Sequence, residues 1–184
     1  MRYTQILIFR YFIIIFSSNI LFLPAIAWPA IKTKLSDTHI QSTLVKHFPI
    51  REYAASARIT LHEPQVILSR DSKDLLLIIP VDANIPEQSQ KKGHARVAVN
   101  VSYRPGNGGL YLTNPRVIEF EMPQVSNKMS KNLKSKIATI CLNSLPLIQI
   151  FKLEGKALKH SLAKSNLKSY SIKDGSMGLT FGFD

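Results

Sequence analysis

Residues 95–122 read "ARVAVNVSYRPGNGGLYLTNPRVIEFEM", and their pattern is that of two long strands joined by a tight turn. In the first half apolar residues alternate with polar ones, which is typical of a half-buried strand. The turn "PGNGG" contains asparagine and glycine, which adopt positive φ at little cost, so we expect the chain to reverse there. The second half alternates again. Our candidates for the core face of this hairpin are Val97, Val99, Val101, Ile118 and Phe120.

Two further strands precede this hairpin along the chain. "LLLIIPVDANI" (75–85) is apolar on both faces, so the sequence leaves open which face turns inward, and Leu77 and Ile79 are our inward candidates. "YAASARITLHEPQVIL" (53–68) alternates, and we expect Pro64 to mark a break or an edge in it. Four consecutive antiparallel strands with short links predict a meander.

A long helix follows the hairpin. Pro146 ends it, because proline has no N–H to donate and its ring crowds the preceding turn. The lysines at its start, Lys128, Lys131 and Lys134, are predicted to project from the face opposite the apolar one. That apolar face recurs at helical spacing and comprises Val125, Met129, Leu133, Ile137, Ile140 and Cys141.

The two ends of the chain carry shorter elements. "WPAIKTK" (28–34) is predicted to be an extended or flexible lead to a helix that Ser36 or Asp37 caps and Pro49 ends. A short basic helix is predicted within residues 154–167, and a hairpin closes the chain with Leu179, Phe181 and Phe183 on one face. The predicted fold class is α+β, with an antiparallel sheet wrapped against helices.

Residues 1–27 have the three parts of a secretory signal. Arg2 and Arg10 supply the positive region, an apolar run follows, and "AIA" (25–27) is the small-x-small pattern that signal peptidase accepts. An uncleaved membrane anchor is the competing interpretation, but the polar break "SSN" within the apolar run favours cleavage before Trp28. We therefore predict an exported, periplasmic protein whose residues 28–184 form a single domain.

The predicted mature chain is strongly basic. All twelve acidic residues and 22 of the 24 basic residues of the chain lie after residue 27, which leaves a net charge of +10. Export and the lack of a recognition motif argue against a nucleic-acid partner. An anionic membrane surface is the partner we expect for Lys128, Lys131 and Lys134, and the alternative is that these lysines only keep the helix solvated.

The sequence does not point to an enzyme. The five histidines have no metal-ligand spacing, no pair of carboxylates is predicted to converge on one pocket, and no motif for a nucleophile or a phosphate occurs. The single cysteine, Cys141, cannot form an intramolecular disulfide and is predicted to be a buried apolar residue. We predict no cofactor and no metal, and the sequence does not indicate an oligomeric state.

The order of these pieces resembles a family, the small Gram-negative envelope proteins similar to the lipoprotein YceB. The resemblance rests on "HFPI" (47–50), "LHEPQVIL" (61–68), "LLLIIPVDANI", "GGLYLTNPRV" (108–117), "LPLIQIFKLEG" (145–155) and "KSYSIKDGSMGLTF" (168–181). It implies a strongly curved antiparallel sheet cradling the long helix, similar to the tubular lipid-binding superfamily. The chain departs from the lipoprotein pattern because Trp28, not cysteine, is the first predicted mature residue, so a lipid anchor is not expected.

Two functions remain open from the sequence. The first is a noncatalytic binder of a lipid or acyl chain held between sheet and helix, lined by Met129, Leu133, Ile137, Ile140, Cys141, Leu77, Ile79, Val99, Val101, Ile118 and Phe120. The second is an envelope interaction protein with a closed core, which docks through its basic surface. Core packing alone would explain every one of the apolar positions, because protein interiors are close-packed.

The predicted cleavage site has a direct test. Expressed with its own leader in a Gram-negative host, the protein is expected to yield a mature chain that begins at Trp28, because the "AIA" site precedes that residue. Intact-mass spectrometry of the purified protein measures this. Retention of residues 1–27 in the membrane fraction would favour the anchor instead.

Overall fold

The fold was obtained as a computed structural model. It describes residues 30–54, 57–69, 72, 74–87, 89–153, 167–173 and 175–182. The predicted signal, almost all of the predicted basic helix at 154–167, and Phe183 lie outside the described residues. In chain order the elements are β1 (Ile31–Ser36), α1 (Asp37–Val45), β2 (Ile50–Ala54), β3 (Ala57–Leu61), β4 (Gln65–Ile67), β5 (Leu75–Asn84), β6 (Lys91–Arg104), β7 (Gly109–Glu121), α2 (Asn127–Ser144), a 3₁₀ turn (Leu145–Leu147), β8 (Gln149–Lys152), β9 (Leu167–Lys173) and β10 (Ser176–Phe181).

The predicted fold class is confirmed: the protein is α+β, with a strongly curled antiparallel sheet, a half-barrel, beside the long helix α2. The main sheet has the order β2-β3-β5-β6-β7-β8, and β4 also pairs with β5. Within the described residues, β2 and β8 are therefore its two edges. The meander predicted from the sequence is the central part of this sheet.

The hairpin of β6 and β7 carries the curl. Its register shifts twice, once between Arg96 and Val97 and once between Ala98 and Asn100, so β7 holds extra residues there. An extra residue in one strand bends that strand and increases its twist. Long strands with two such shifts curl around the core instead of lying flat.

The first shift corrects one of our predictions. Glu119 lies opposite Arg96 and Val117 lies opposite Val97, which leaves Ile118 as the extra residue of the bulge. Its side chain is 52% exposed, so the prediction that Ile118 faces inward is wrong. The strict alternation assumed for this strand does not hold through a bulge, because the extra residue changes which face the following side chains occupy.

The inner face of the sheet is apolar and buried. In β5 the odd-numbered residues are buried and the even-numbered ones are more exposed, which settles the orientation that the sequence left open. Leu77 lies opposite Val97, and Ile79 lies opposite Ala95. A Cβ at Gly93 would collide with the backbone oxygen of Glu121, so this close approach of β6 to β7 requires glycine.

Strand β4 continues the line of β3 along β5 after the break at Pro64, as predicted. Helix α1 stabilises this break with one side chain. The Gln41 amide nitrogen donates to the Pro64 carbonyl, and the Val66 N–H donates to Gln41 Oε1 at 2.8 Å. Ser36 is the N-cap of α1, since its Oγ accepts a hydrogen bond from the His39 N–H at 3.1 Å.

A second sheet of three strands, in the order β1-β10-β9, packs against the same core. Of the two alternatives predicted for the lead, the extended one holds for its described residues from Ile31 on, since Ile31–Ser36 form a strand paired with β10. Tyr103 of β6 meets Phe181 of β10 edge to face at 5.2 Å, which joins the two sheets. Burial and the Asp74 carboxylate raise the pKa of Tyr170 in β9.

Two residues of α2 that differ in burial provide a test of this packing. Ile137 is fully buried and Leu142 is 53% exposed. Ile137→Ala is expected to lower the free energy of unfolding by about 2–5 kcal/mol, because it leaves a cavity in the core. Leu142→Ala, the matched control on the same helix, is expected to change it by no more than about 0.5 kcal/mol. Urea denaturation measures both, and equal losses would contradict the placement of α2.

Candidate docking surface on helix α2

Helix α2 is placed by its cap and by its apolar face. Ser126 is the N-cap, with its Oγ accepting from the Met129 N–H at 3.3 Å. The predicted apolar face is confirmed, since Leu133, Ile137, Ile140 and Cys141 are all buried in the core. The helix ends at Ser144, and Pro146 lies in the 3₁₀ turn that follows, as the sequence predicts.

The helix closes the open side of the half-barrel. It runs back along β7 after that strand ends, packs against it, and also touches β2, the opposite edge of the sheet. The 3₁₀ turn then packs on β7, and β8 pairs with the first residues of that strand. The helix therefore has an inner face, a flank toward β7, a flank toward β2 and an outer face.

Except for Ile118, the residues expected to line a ligand cavity belong to the hydrophobic core or pack against it. The side chains of Leu77, Ile79, Val99, Ile137 and Cys141 have no exposed surface, so no space as wide as a water molecule adjoins them. An acyl chain between sheet and helix would need such space, or an outward movement of α2. Met129 and Phe120 are half-buried and pack against the same core. The remaining candidates are buried, with less than a tenth of their surface exposed: Leu133, Ile140 and Val101.

The three predicted surface lysines occupy two different parts of the helix. Lys128 and Lys131 are exposed on the outer face, as predicted. Lys134 is half-buried and donates through its Nζ to the Ile118 carbonyl at 3.4 Å, so it belongs to the flank toward β7. The prediction that Lys134 projects from the outer face is wrong, because at 100° per residue it lies nearer the core face than the two other lysines do.

Two exposed leucines at and just beyond the end of α2 were missed by the sequence analysis. Leu142 is 53% exposed and Leu147, in the 3₁₀ turn, is 76% exposed. Leu142 follows Lys131 by eleven residues, about three helical turns, so the two lie on the same line of the outer face. The spacing between Lys131 and Leu142 was the sequence signal that could have identified Leu142 as exposed. We define the outer face of α2 by Lys128, Lys131 and Leu142, together with the exposed Leu147 in the 3₁₀ turn that follows the helix.

The charges of the main sheet contrast with those of α2. Acidic residues of the sheet region have basic partners: Arg96 Nη1 lies 2.8 Å from Glu119 Oε2, and Arg116 Nη2 lies 2.6 Å from Asp74 Oδ2. The hydrogen bond from Arg96 lowers the pKa of Glu119. Residues 127–144 contain four lysines and no acidic residue, so their charges add.

Two further features of the described residues are their possible metal ligands and the single cysteine. Among the described residues, no three His, Cys, Asp or Glu side chains are grouped closely enough to hold a metal ion. Cys141 is buried, and burial raises the pKa of its thiol from 9.0 to about 12. Within the same residues, no helix has both the length and the apolar character needed to cross a membrane.

No protein-family model matches the sequence, and no curated protein matches it either. The resemblance to the YceB-like envelope proteins stays a prediction.

The burial of Cys141 predicts how its thiol behaves. In the native protein at about pH 8 the thiol is expected to react with Ellman's reagent far more slowly than in protein unfolded by guanidinium chloride, because the thiolate is the reactive form. Because folding raises the pKa of this thiol above 9.0, burial of the protonated thiol contributes to the free energy of unfolding below pH 9. That contribution is lost as the pH rises toward about 12. Fast labelling of the native protein would contradict this placement.

Proposed function

We propose that the protein is a noncatalytic docking protein with a closed core, which binds an anionic membrane surface through the outer face of α2. The observation that carries the proposal is the composition of that surface: exposed Lys128 and Lys131 near the start of the helix, exposed Leu142 near its end, exposed Leu147 in the turn that follows, and no acidic residue along the helix. Single exposed leucines are ordinary on protein surfaces, but exposed leucines at the end of a uniformly basic helix fit a lipid interface.

The energies involved describe weak and reversible binding. Each lysine near an anionic surface contributes about 1 kcal/mol, and burial of a leucine side chain contributes about 1.5–3 kcal/mol when complete. A leucine that is already half-buried gains correspondingly less. Lysine stems lie along apolar surface while their ammonium groups reach the headgroups, which suits a helix lying flat on the interface. The export predicted from residues 1–27 would bring the protein to such membranes.

An acyl chain held between sheet and helix is the competing proposal, which the family resemblance favours. The absence of exposed surface at Leu77, Val99 and Ile137 supports the closed core instead. Mass spectrometry of an organic extract of gently purified protein distinguishes the two. A near-stoichiometric lipid would replace the docking proposal with the cavity, whereas a clean extract supports docking.

Sedimentation with vesicles of phosphatidylglycerol and phosphatidylethanolamine tests the outer face. The double variant Lys128→Gln, Lys131→Gln is expected to bind about thirtyfold more weakly at low salt, since it loses about 2 kcal/mol of attraction. High salt should weaken the wild type in the same way. The variant Leu142→Ser, Leu147→Ser should weaken binding at both salt concentrations.

The control removes two exposed lysines from the strands, Lys92→Gln and Lys173→Gln, and so makes the same change in net charge. It is expected to keep most of the binding. If both lysine pairs weaken binding equally, only net charge matters and the outer face of α2 is not the docking surface. Binding that none of the variants alters would also reject the proposal.

A further inference from the structure

The two flanks of α2 differ in how they meet the sheet. The flank toward β7 is tightly packed, and Lys134 donates to the backbone of that strand. The flank toward β2 leaves a cleft of about 340 Å³, which is open to solvent. The cleft is lined by Glu52 and Tyr53 of β2 and by Lys136, Thr139, Ile140 and Asn143 of α2.

Strand β2 borders this cleft and, among the described strands, is an edge of the main sheet. In the described part of the chain, β2 pairs with β3 on one side, from Ile50 opposite Leu61 to Ala54 opposite Ala57, and has no strand on its other side. In an antiparallel pair every second residue turns its N–H and C=O away from the partner strand. Such an edge is a template for another extended chain, and an adjoining helix supplies one wall of a groove.

The side chains around the cleft indicate the chemistry of a chain that would fit. Ile140 is the most buried part of the lining, and Tyr53, which is 73% exposed, offers an aromatic surface with the Arg58 guanidinium 5.0 Å from its ring centroid. Lys136 carries a positive charge in the lining, and the Arg58 guanidinium against the Tyr53 ring adds a second, whereas Glu52 carries the single negative charge of the lining. An extended segment with apolar and acidic side chains is complementary to this lining.

We propose that the edge of β2 and the adjoining flank of α2 bind an extended peptide segment of a partner protein, which adds as a strand to β2 and directs an acidic side chain toward Lys136. Strand β2 is five residues long, so the added segment spans about five residues of the partner. The main-chain hydrogen bonds provide affinity, and Lys136 with the Tyr53 and Ile140 surfaces provides selectivity. This site shares no residue with the outer face of α2, so it is independent of the membrane proposal.

A peptide library tests the site on the full mature chain. The probe is a pool of blocked nine-residue peptides in which valine alternates with a randomised polar residue. Peptides retained by the immobilised protein are expected to be enriched in Asp and Glu, and in NMR spectra they should shift the amide signals of Ile50–Ala54. If no peptide is enriched, or the shifts fall elsewhere, the proposal is rejected.

Two charge reversals on the same helix separate the cleft from the outer face. Lys136→Glu is expected to weaken the binding of a selected acidic peptide about tenfold or more, whereas Lys131→Glu should leave the affinity for that peptide nearly unchanged. Thr139→Trp fills the cleft from an exposed position and should also block binding, which keeps the test valid if Lys136→Glu fails to fold. Equal losses in the two charge reversals would show non-specific attraction and reject the site.

Backbone methylation of the selected peptide tests strand addition itself. Methylating the amides of every second residue removes the donors along one edge of the bound strand, and methylating the other set removes those along the opposite edge. One set should abolish binding and the other should leave it largely intact. If both sets behave alike, the peptide binds through its side chains only and does not extend the sheet.

Discussion

The two register shifts between β6 and β7 are the constraint on which the rest of the molecule depends. The strands are long, 14 and 13 residues, and a flat hairpin of that length could bury only one broad face against a single layer. Extra residues in β7 bend the hairpin, and the sheet curls. A single helix can then contact both β7 and β2. The apolar faces of α2 and of the sheet are buried together because this curl brings β2 and β7 within reach of one helix.

Once α2 spans that gap, each of its sides has a different environment. Ile137 points into the core, Lys134 reaches the β7 backbone, Lys136 borders the cleft beside β2, and Lys131 faces solvent. Lysines only a few residues apart thus have three different roles, which depend on helical position and not on charge. A helix lying on a flat sheet would have one buried and one exposed side, and neither the sealed flank nor the open one would exist.

Local patterns predicted most of the elements, and the errors arose where distant residues decide the outcome. The apolar face of α2, its end near Pro146, the turn at residues 105–109 and the cap at Ser36 are all properties of neighbouring residues. Ile118 was placed wrongly because a bulge depends on the register with the partner strand. The sequence left the lead open between extended and flexible, because the strand at residues 31–36 depends on pairing with β10, far along the chain. For the candidate site, the exposed Lys128 and Lys131 were predictable, but the flank position of Lys134 and the exposure of Leu147 depend on which strands adjoin the helix.

The arrangement of charge determines how the two proposed surfaces relate to each other. On the outer side of the sheet, Arg96 with Glu119 and Arg116 with Asp74 form exposed pairs that add little stability but cancel each other's field within a Debye length of about 8 Å. Along α2 no acidic residue cancels the lysines, so their field extends outward from the helix. An anionic surface would therefore attract the molecule with the outer face of α2 toward it. The cleft beside β2 lies on the flank of that helix, a quarter turn away from the surface, so an extended peptide lying parallel to the membrane could still reach the edge of β2 while the protein is docked.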